Sequence, residues 1–248
     1  LHLSLRRQRQ MCIRDSACTA VFFYTMRKGD DGVRKKVLFD LDGTIIDSSE
    51  GIYGSIQYAM EKMGKEQLAQ DVLRSFVGPP LVESFRGLGF DEAAAQQAVA
   101  FYRENYRQAG MFQVQPYPLI EETLQELAQD HDLYIATSKP EVFAKEILTH
   151  LKYDGYFKGI YGADLENKRG EKAAVIRYAL TEIEKEQKAQ QTIMIGDREH
   201  DILGAKENQL PAIGVLYGFG SKEELLDAGA IALAAETQEL LALIPDSL

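Results

Sequence analysis

Apolar positions along the chain fall into two patterns, short continuous runs and stripes at helical spacing. Val37, Leu38 and Phe39 form a run that ends at Asp40. A run of this kind predicts a buried strand, and the Gly43 beyond it predicts a loop. Ile52, Ile56, Met60 and Met63 then recur at helical spacing, with Asp47 and Glu50 as a start signal and Gly64 as the stop. Further helices are predicted over 67–76, 81–88 and 91–108. Gly78, Pro79 and Pro80 separate the first two, and Gly110 ends the Ala-rich third. No strand signal interrupts residues 48–110.

Beyond Pro116 and Pro118 the pattern changes. Helices are predicted over 120–129, 171–186, 201–208 and 237–243, with another opened by Pro140 at a position where proline is tolerated. Strands are predicted over 133–136, 159–161, 192–195, 212–215 and 230–233, and Ser221 with Glu224 reads as a capping box. Strands alternating with helices imply an α/β fold with a doubly wound parallel sheet. The expected organisation is a core from 36–47 and 116–248, with 48–115 as a helical domain inserted after the first strand.

Composition narrows the function. The 248 residues carry a formal charge of −10, so the chain has no general attraction for nucleic acid or an anionic membrane. No apolar run is long enough to span a bilayer. Cys12 and Cys18 both lie near the start, and the rest of the chain offers no disulfide framework or thiolate metal site. A reduced, cytoplasmic globular protein is the expectation, monomeric or homodimeric. Residues 1–35 are expected to be an artefact or a disordered extension. The stretch 1–16 is rich in Arg and Gln without a period, and Met26 is a candidate start. The apolar run 20–23 is too short for a secretory signal and has no small-residue cleavage site before Arg27 and Lys28.

Open α/β sheets bind ligands beyond the carboxyl ends of their strands. Three of the predicted strands end there in polar residues: Asp40-Leu41-Asp42-Gly43-Thr44, Thr137-Ser138-Lys139 and Gly196-Asp197-Arg198-Glu199-His200-Asp201. Packing gives no reason for that convergence, and phosphoryl transfer does. It needs an in-line nucleophile, and a carboxylate can serve by forming an aspartyl-phosphate. Carboxylates repel a phosphate dianion, so a divalent cation must bridge them, and oxygen ligands suit Mg²⁺. A hydroxyl and an ammonium hold the remaining phosphate oxygens. A second carboxylic acid nearby can protonate the leaving oxygen and later activate water. Taken singly, each feature has an ordinary explanation: a solvated turn for the paired aspartates, a helix cap for Thr137, Ser138 or Asp201, a solvent-facing lysine for Lys172. His200, His131 and His150 read as bystanders.

The four segments together resemble the haloacid dehalogenase superfamily from Lys36 onward. Asp-x-Asp-Gly-Thr follows the first strand, Thr137 ends the second, Lys172 opens a helix, and Asp197 and Asp201 fit Gly-Asp-x-x-x-Asp. The resemblance implies Asp40 as nucleophile and metal ligand, and Asp42 as general acid/base that also touches the metal. It implies Thr137, with Ser138, and Lys172 as phosphate-binding residues, and Asp197 and Asp201 as further ligands of a Mg²⁺ cofactor. Lys168 and Lys139 are weaker candidates for the ammonium role. Residues 48–115 occupy the place of the superfamily's helical cap, which closes over the site and selects the substrate. The loop 76–81, with Gly78 and Pro79, is the expected specificity loop. Arg86 and Lys62 are candidates to meet an anionic leaving group, against the alternative of ordinary exposed charges.

The expected activity is Mg²⁺-dependent hydrolysis of a small phosphomonoester through an aspartyl-phosphate. The segments resemble the 5′-nucleotidase-like and phosphoglycolate-phosphatase branches. Residues 167–172 lack the proline common near the third motif of the latter, which favours the former. Asp42 argues against a dehalogenase, which does not need it. A P-type ATPase would need membrane helices. The alternatives are a sugar phosphomutase of the β-phosphoglucomutase type and a non-catalytic phosphometabolite-binding protein.

Overall fold

A computed structural model describes residues 34–165, 169–186 and 192–244. Cys12, Cys18, Met26 and Lys168 lie outside the described residues. The central element is β1 (Lys35–Phe39), in which Val37, Leu38 and Phe39 are wholly buried. The other sheet strands are β4 (His131–Pro140), β5 (Phe157–Ala163), β6 (Thr192–Gly196), β7 (Ala212–Val215) and β8 (Ala232–Ala234), in the order β5-β4-β1-β6-β7-β8. Every pairing is parallel. The chain builds outward from β1 to β5, then returns past β1 to β6, so the order reverses between β1 and β6. Ligands of doubly wound sheets bind at such a switch point.

Helices cover both faces, as parallel strands buried on both sides require. Leu38, Tyr134, Met194 and Ala212 stand in register across β1, β4, β6 and β7. They pack with Val175, Ile176 and Ile183 of α7 (Lys172–Glu186), Ile202 of α8 (Glu199–Glu207) and Leu225 of α9 (Lys222–Ala228). The α5 helix (Ile120–Asp130) and the α6 helix (Glu141–Leu151) also pack against β4, and the short α10 (Leu240–Leu243) packs beside α5.

The insertion comprises α1 (Ser49–Lys62), α2 (Gln70–Arg74), α3 (Leu81–Gly87) and α4 (Glu92–Gln108), then a 3₁₀ turn at Gly110–Phe112. The chain leaves and re-enters the core through a two-stranded antiparallel ribbon of β2 (Ile46–Asp47) and β3 (Gln115–Pro116). α1 and α4 form the body of the insertion, and Phe85 of α3 stacks edge-on against Phe76 and Phe90 at 5.1 and 5.8 Å. Among the described residues no helix is long and apolar enough to cross a membrane.

Several boundaries differ from the expectation for identifiable reasons. The helix expected over 67–76 is only Gln70–Arg74. The Gln57 side-chain amide takes both backbone groups of Leu68, at 2.9 and 2.8 Å, which gives that backbone a partner outside any helix. Pro140 is the N-cap of α6 and not its first residue. α8 begins at Glu199, two residues before Asp201. The last strand is Ala232–Ala234, not 230–233. Ser221 caps α9 through the Glu224 N–H at 3.1 Å, but the Glu224 carboxylate accepts from Arg198 at 2.8 Å and does not close a box.

Candidate active site

The site grows out of the loop after β1. The Asp40 N–H donates to the Ile195 carbonyl at 2.9 Å, so the sheet fixes its backbone at the carboxyl edge. The Leu41 carbonyl then accepts from Thr44, Ile45 and Ile46 at 3.3, 2.9 and 3.1 Å, and the loop closes tightly. Gly43 permits this: its φ is +83°, and a Cβ there would lie 2.2 Å from Asp197 Oδ2. Only a residue without a side chain lets the β1 loop and the β6 loop approach so closely.

Three elements converge on Lys172, the first residue of α7. Its Nζ lies 2.7 Å from Asp40 Oδ1 and 2.7 Å from Asp201 Oδ1, and donates to the Ala136 carbonyl at 3.1 Å. Asp201 divides its carboxylate: Oδ1 meets Lys172, and Oδ2 accepts the Arg198 N–H at 3.0 Å, satisfying a free donor at the start of α8. Asp197, fully buried after β6, accepts from the Phe219 N–H at 2.8 Å and from Thr44 Oγ1 at 3.4 Å. Asp42 is turned away from this group, with Oδ2 2.8 Å from Lys139 Nζ. Its other oxygen, Oδ1, is buried and has no hydrogen-bond partner among the described residues.

Burial dominates the electrostatics. It pushes the Asp40 carboxyl up to about 6 against the pull of Lys172, and Asp201 and Asp42 add to the rise. Burial with Asp201 and Asp40 as neighbours raises Asp197 well above the ordinary carboxylate range. Burial opposes the charge on Lys172, yet Asp201 and Asp40 hold its ammonium well above the usual lysine value. Four carboxylates (Asp40, Asp42, Asp197, Asp201) thus face two paired ammonium groups, Lys172 and Lys139. With all four ionised the excess would be two negative charges, which one divalent cation would neutralise. Asp40, Asp197 and Asp201 each bring a carboxylate oxygen within 4.8 Å of the others. An all-oxygen donor set of this kind fits a hard cation such as Mg²⁺.

Residues 37–215 match the model of the haloacid dehalogenase-like hydrolases. The chain belongs to that family. It is 46% identical over 191 residues to a 5′-nucleotidase of Pseudomonas aeruginosa, covering 76% of this chain and 86% of that protein. A phosphoglycolate phosphatase of Colwellia psychrerythraea is 29% identical over 208 residues, 79% of this chain and 90% of that one. Among solved structures, a predicted phosphatase from Clostridium acetobutylicum is similar at 43% identity with a TM-score of 0.78, over 86% of this chain and all of that one.

The hydrolase holds a cavity of about 550 Å³ between the sheet edge and the insertion. Asp40, Asp42, Thr137, Ser138, Lys172 and Asp201 line its floor, while Gly78 and Pro79 line its insertion side. Asp197 lies behind the floor, against Gly43. Thr137 is almost wholly buried, and its Oγ1 accepts the Lys139 N–H at 3.2 Å. Arg86 is not among the lining residues; it is exposed and pairs with Glu92 at 3.6 Å on the outer face of the insertion. Lys62 is likewise exposed, 5.2 Å from the Tyr58 ring. His200 is exposed at the cavity rim.

Sequence reasoning assigned no role to Tyr106 or Arg198, and Lys139, a weaker candidate for the ammonium role, takes a different place. It pairs with Asp42 Oδ2 at 2.8 Å, while Lys172 meets Asp40 and Asp201. Tyr106 of α4 accepts from Lys139 Nζ at 2.8 Å. Arg198 donates to the Val77 carbonyl of the insertion loop and to Glu224. A signal for Lys139 existed: it follows Thr137 and Ser138 at the carboxyl end of β4, the edge where ligands of such sheets bind.

Proposed function

We propose that this hydrolase is a Mg²⁺-dependent phosphatase that cleaves a small phosphomonoester through an aspartyl-phosphate on Asp40, with nucleoside 5′-monophosphates as the preferred class. The observation that carries the reading is Asp40 itself: buried at the switch point, 2.7 Å from Lys172, with Asp42 lining the same cavity. A carboxylate placed so can attack a phosphorus atom whose other oxygens meet an ammonium and the Thr137 and Ser138 hydroxyls.

In the first step an Asp40 oxygen bonds to phosphorus and the phosphorus–ester oxygen bond breaks. Asp42 gives its proton to the departing alcohol oxygen. In the second step Asp42 takes a proton from a water, whose oxygen bonds to phosphorus as the bond to Asp40 breaks. Inorganic phosphate leaves and both aspartates return to their starting state. Lys172 holds phosphate oxygens through both steps, and the insertion keeps bulk water from the acyl phosphate. Asp40, Asp197 and Asp201, with Asp42 beside them, would hold the cation, which supplies charge neutralisation for the approaching dianion.

Two features favour a nucleotide over 2-phosphoglycolate. Cavities of about 300–1,000 Å³ enclose ligands of drug size. At about 550 Å³ this one is in that range, and a two-carbon acid would leave most of it empty. Phe76, Tyr102, Tyr106 and Phe143 also line it, with the Tyr102 and Tyr106 rings stacked at 5.4 Å. Aromatic walls suit a flat base. The similarity to a 5′-nucleotidase points the same way.

The test is phosphate release from nucleoside monophosphates, sugar phosphates and 2-phosphoglycolate, with Mg²⁺ and then with EDTA. Mg²⁺-dependent release fastest from nucleoside monophosphates is expected. Release from 2-phosphoglycolate alone would overturn the substrate class, and transfer of phosphate within a sugar without net release would replace hydrolysis by a mutase reaction.

A further inference from the structure

Lys139 ties the candidate acid/base to both the sheet and the insertion. Its Nζ is 2.8 Å from Asp42 Oδ2 and donates to Tyr106 Oη at 2.8 Å, while its own N–H donates to Thr137 Oγ1 at 3.2 Å. The ammonium also stands 5.0 Å from the centre of the Tyr106 ring, a cation–π distance. Tyr106 belongs to α4 of the insertion, is 2% exposed, and is fixed on both sides: it stacks on Tyr102 at 5.4 Å and meets Phe143 of α6 edge-on at 5.8 Å. A lysine side chain has four rotatable bonds, so an ion pair to Asp42 alone would leave the carboxylate poorly fixed. The tyrosine hydroxyl and ring remove that freedom. With Oδ2 held by Lys139, Oδ1 is the oxygen with no partner among the described residues.

We propose that Lys139 and Tyr106 are positioning residues that aim Asp42 at the leaving-group oxygen, and that Tyr106 makes this aim depend on the insertion being seated over the sheet. The inference rests on the phosphatase reading and adds to it a residue of the insertion that acts on chemistry through a contact other than substrate binding. An insertion swung off the sheet would take Tyr106 with it, and Asp42 would lose its orientation until closure. Acid catalysis would then be available only when the cavity is closed to bulk water.

Proton delivery matters most when the leaving group is a poor one, and this separates positioning from general structural damage. The measurement is kcat/KM, which reports the steps through ester cleavage, on an alkyl phosphate that the wild type hydrolyses and on 4-nitrophenyl phosphate. Asp42→Asn sets the pattern: a fall of about 10²–10⁴-fold on the alkyl ester and a much smaller one on the aryl ester. Tyr106→Phe, which keeps the ring and its packing, should fall about tenfold on the alkyl ester, the size of one hydrogen bond to a charged group, with little change on the aryl ester. Lys139→Gln should show the same selectivity more strongly, and Lys139→Arg should recover part of it. Equal losses on both esters, or none in Tyr106→Phe, would overturn the positioning role while leaving the phosphatase reading intact. A wild type that releases phosphate from 4-nitrophenyl phosphate and from every alkyl phosphate tried at no more than background would overturn that reading and the positioning role with it.

Discussion

Arg198, in the loop after β6, donates through its guanidinium to the backbone carbonyl of Val77 in the insertion, and through Nε to Glu224 Oε1 at 2.8 Å. The fork thus joins the core, α9 and the loop that carries Gly78 to Pro80 along the cavity. Gly78 has a φ of +106°, and a Cβ there would be 3.1 Å from the guanidinium, so the loop passes directly over it. Lysine cannot reproduce a planar fork with two divergent partners. Arg198→Lys is therefore expected to raise KM for the preferred substrate by about tenfold, the effect of losing one charged hydrogen bond, with a smaller change in kcat. Glu224→Gln keeps the Val77 contact and should raise KM less. Steady-state kinetics on both variants checks the order.

Asp40→Asn removes the proposed nucleophile while keeping its shape. Losing a covalent nucleophile commonly costs on the order of 10⁴-fold or more in kcat. The variant retains Asp201 beside Lys172, so the buried ammonium keeps a counter-ion and the fold should persist. Phosphate release at background level with an unchanged circular dichroism spectrum is the expected pair of results.

If the buried carboxylates hold Mg²⁺ as proposed, the protein's stability should depend on the cation. A ligand at about 100 times its Kd adds about 2.7 kcal/mol, which for a domain of this size corresponds to a rise in Tm of about 5–10 °C. Saturating Mg²⁺ should give a shift of that order, EDTA should reverse it, and Asp197→Asn should abolish most of it. The pH dependence has a definite sign. Burial raises Asp40 to about 6 and Asp197 well above its ordinary value, so without the cation the folded site retains protons. Binding must release them. The apparent Mg²⁺ affinity should fall as pH drops through about 6, measured by thermal shift across a pH series.

The strands and the carboxyl-edge segments could be read because each depends on local pattern; the order β5-β4-β1-β6-β7-β8 depends on tertiary placement and could not. An apolar run such as 37–39 buried on both faces, followed by Asp40 and Gly43, specifies strand and loop without reference to the rest of the chain. What the sequence hid depends on tertiary placement. A place at the start of a helix favours Lys172 over Lys139, but which carboxylate each lysine meets is decided by where the ends of α7 and β4 lie. The Tyr102 and Tyr106 pair has the spacing of an ordinary packed helix face, and only the seating of α4 above α6 makes Tyr106 a neighbour of Lys139. Arg86 carries the same charge as Arg198, but its helix turns it outward to Glu92. Charge and spacing nominate residues, and the direction of each element chooses among them.

Gly43 and Gly54 offer the sharpest contrast between a glycine that the site requires and one that it does not. At Gly43 an alanine meets two penalties. The positive φ is unfavourable for any L residue by about 1–2 kcal/mol, and the new Cβ would stand 2.2 Å from Asp197 Oδ2, forcing apart the loops that bring Asp40 and Asp197 together. The Asp197 carboxylate cannot easily yield, because the Phe219 N–H holds it at 2.8 Å from behind. Gly43→Ala should lower Tm and weaken Mg²⁺ binding together. At Gly54, within α1, a Cβ would have nothing within 4 Å. There alanine restricts the unfolded chain and suits the helix, so Gly54→Ala should stabilise by about 0.5–1 kcal/mol with kcat and Mg²⁺ affinity unchanged. Thermal melts of both variants with and without Mg²⁺ test the pair, and a Gly43→Ala protein that keeps the wild-type Mg²⁺ shift would show that Asp197 is not needed where the loop holds it.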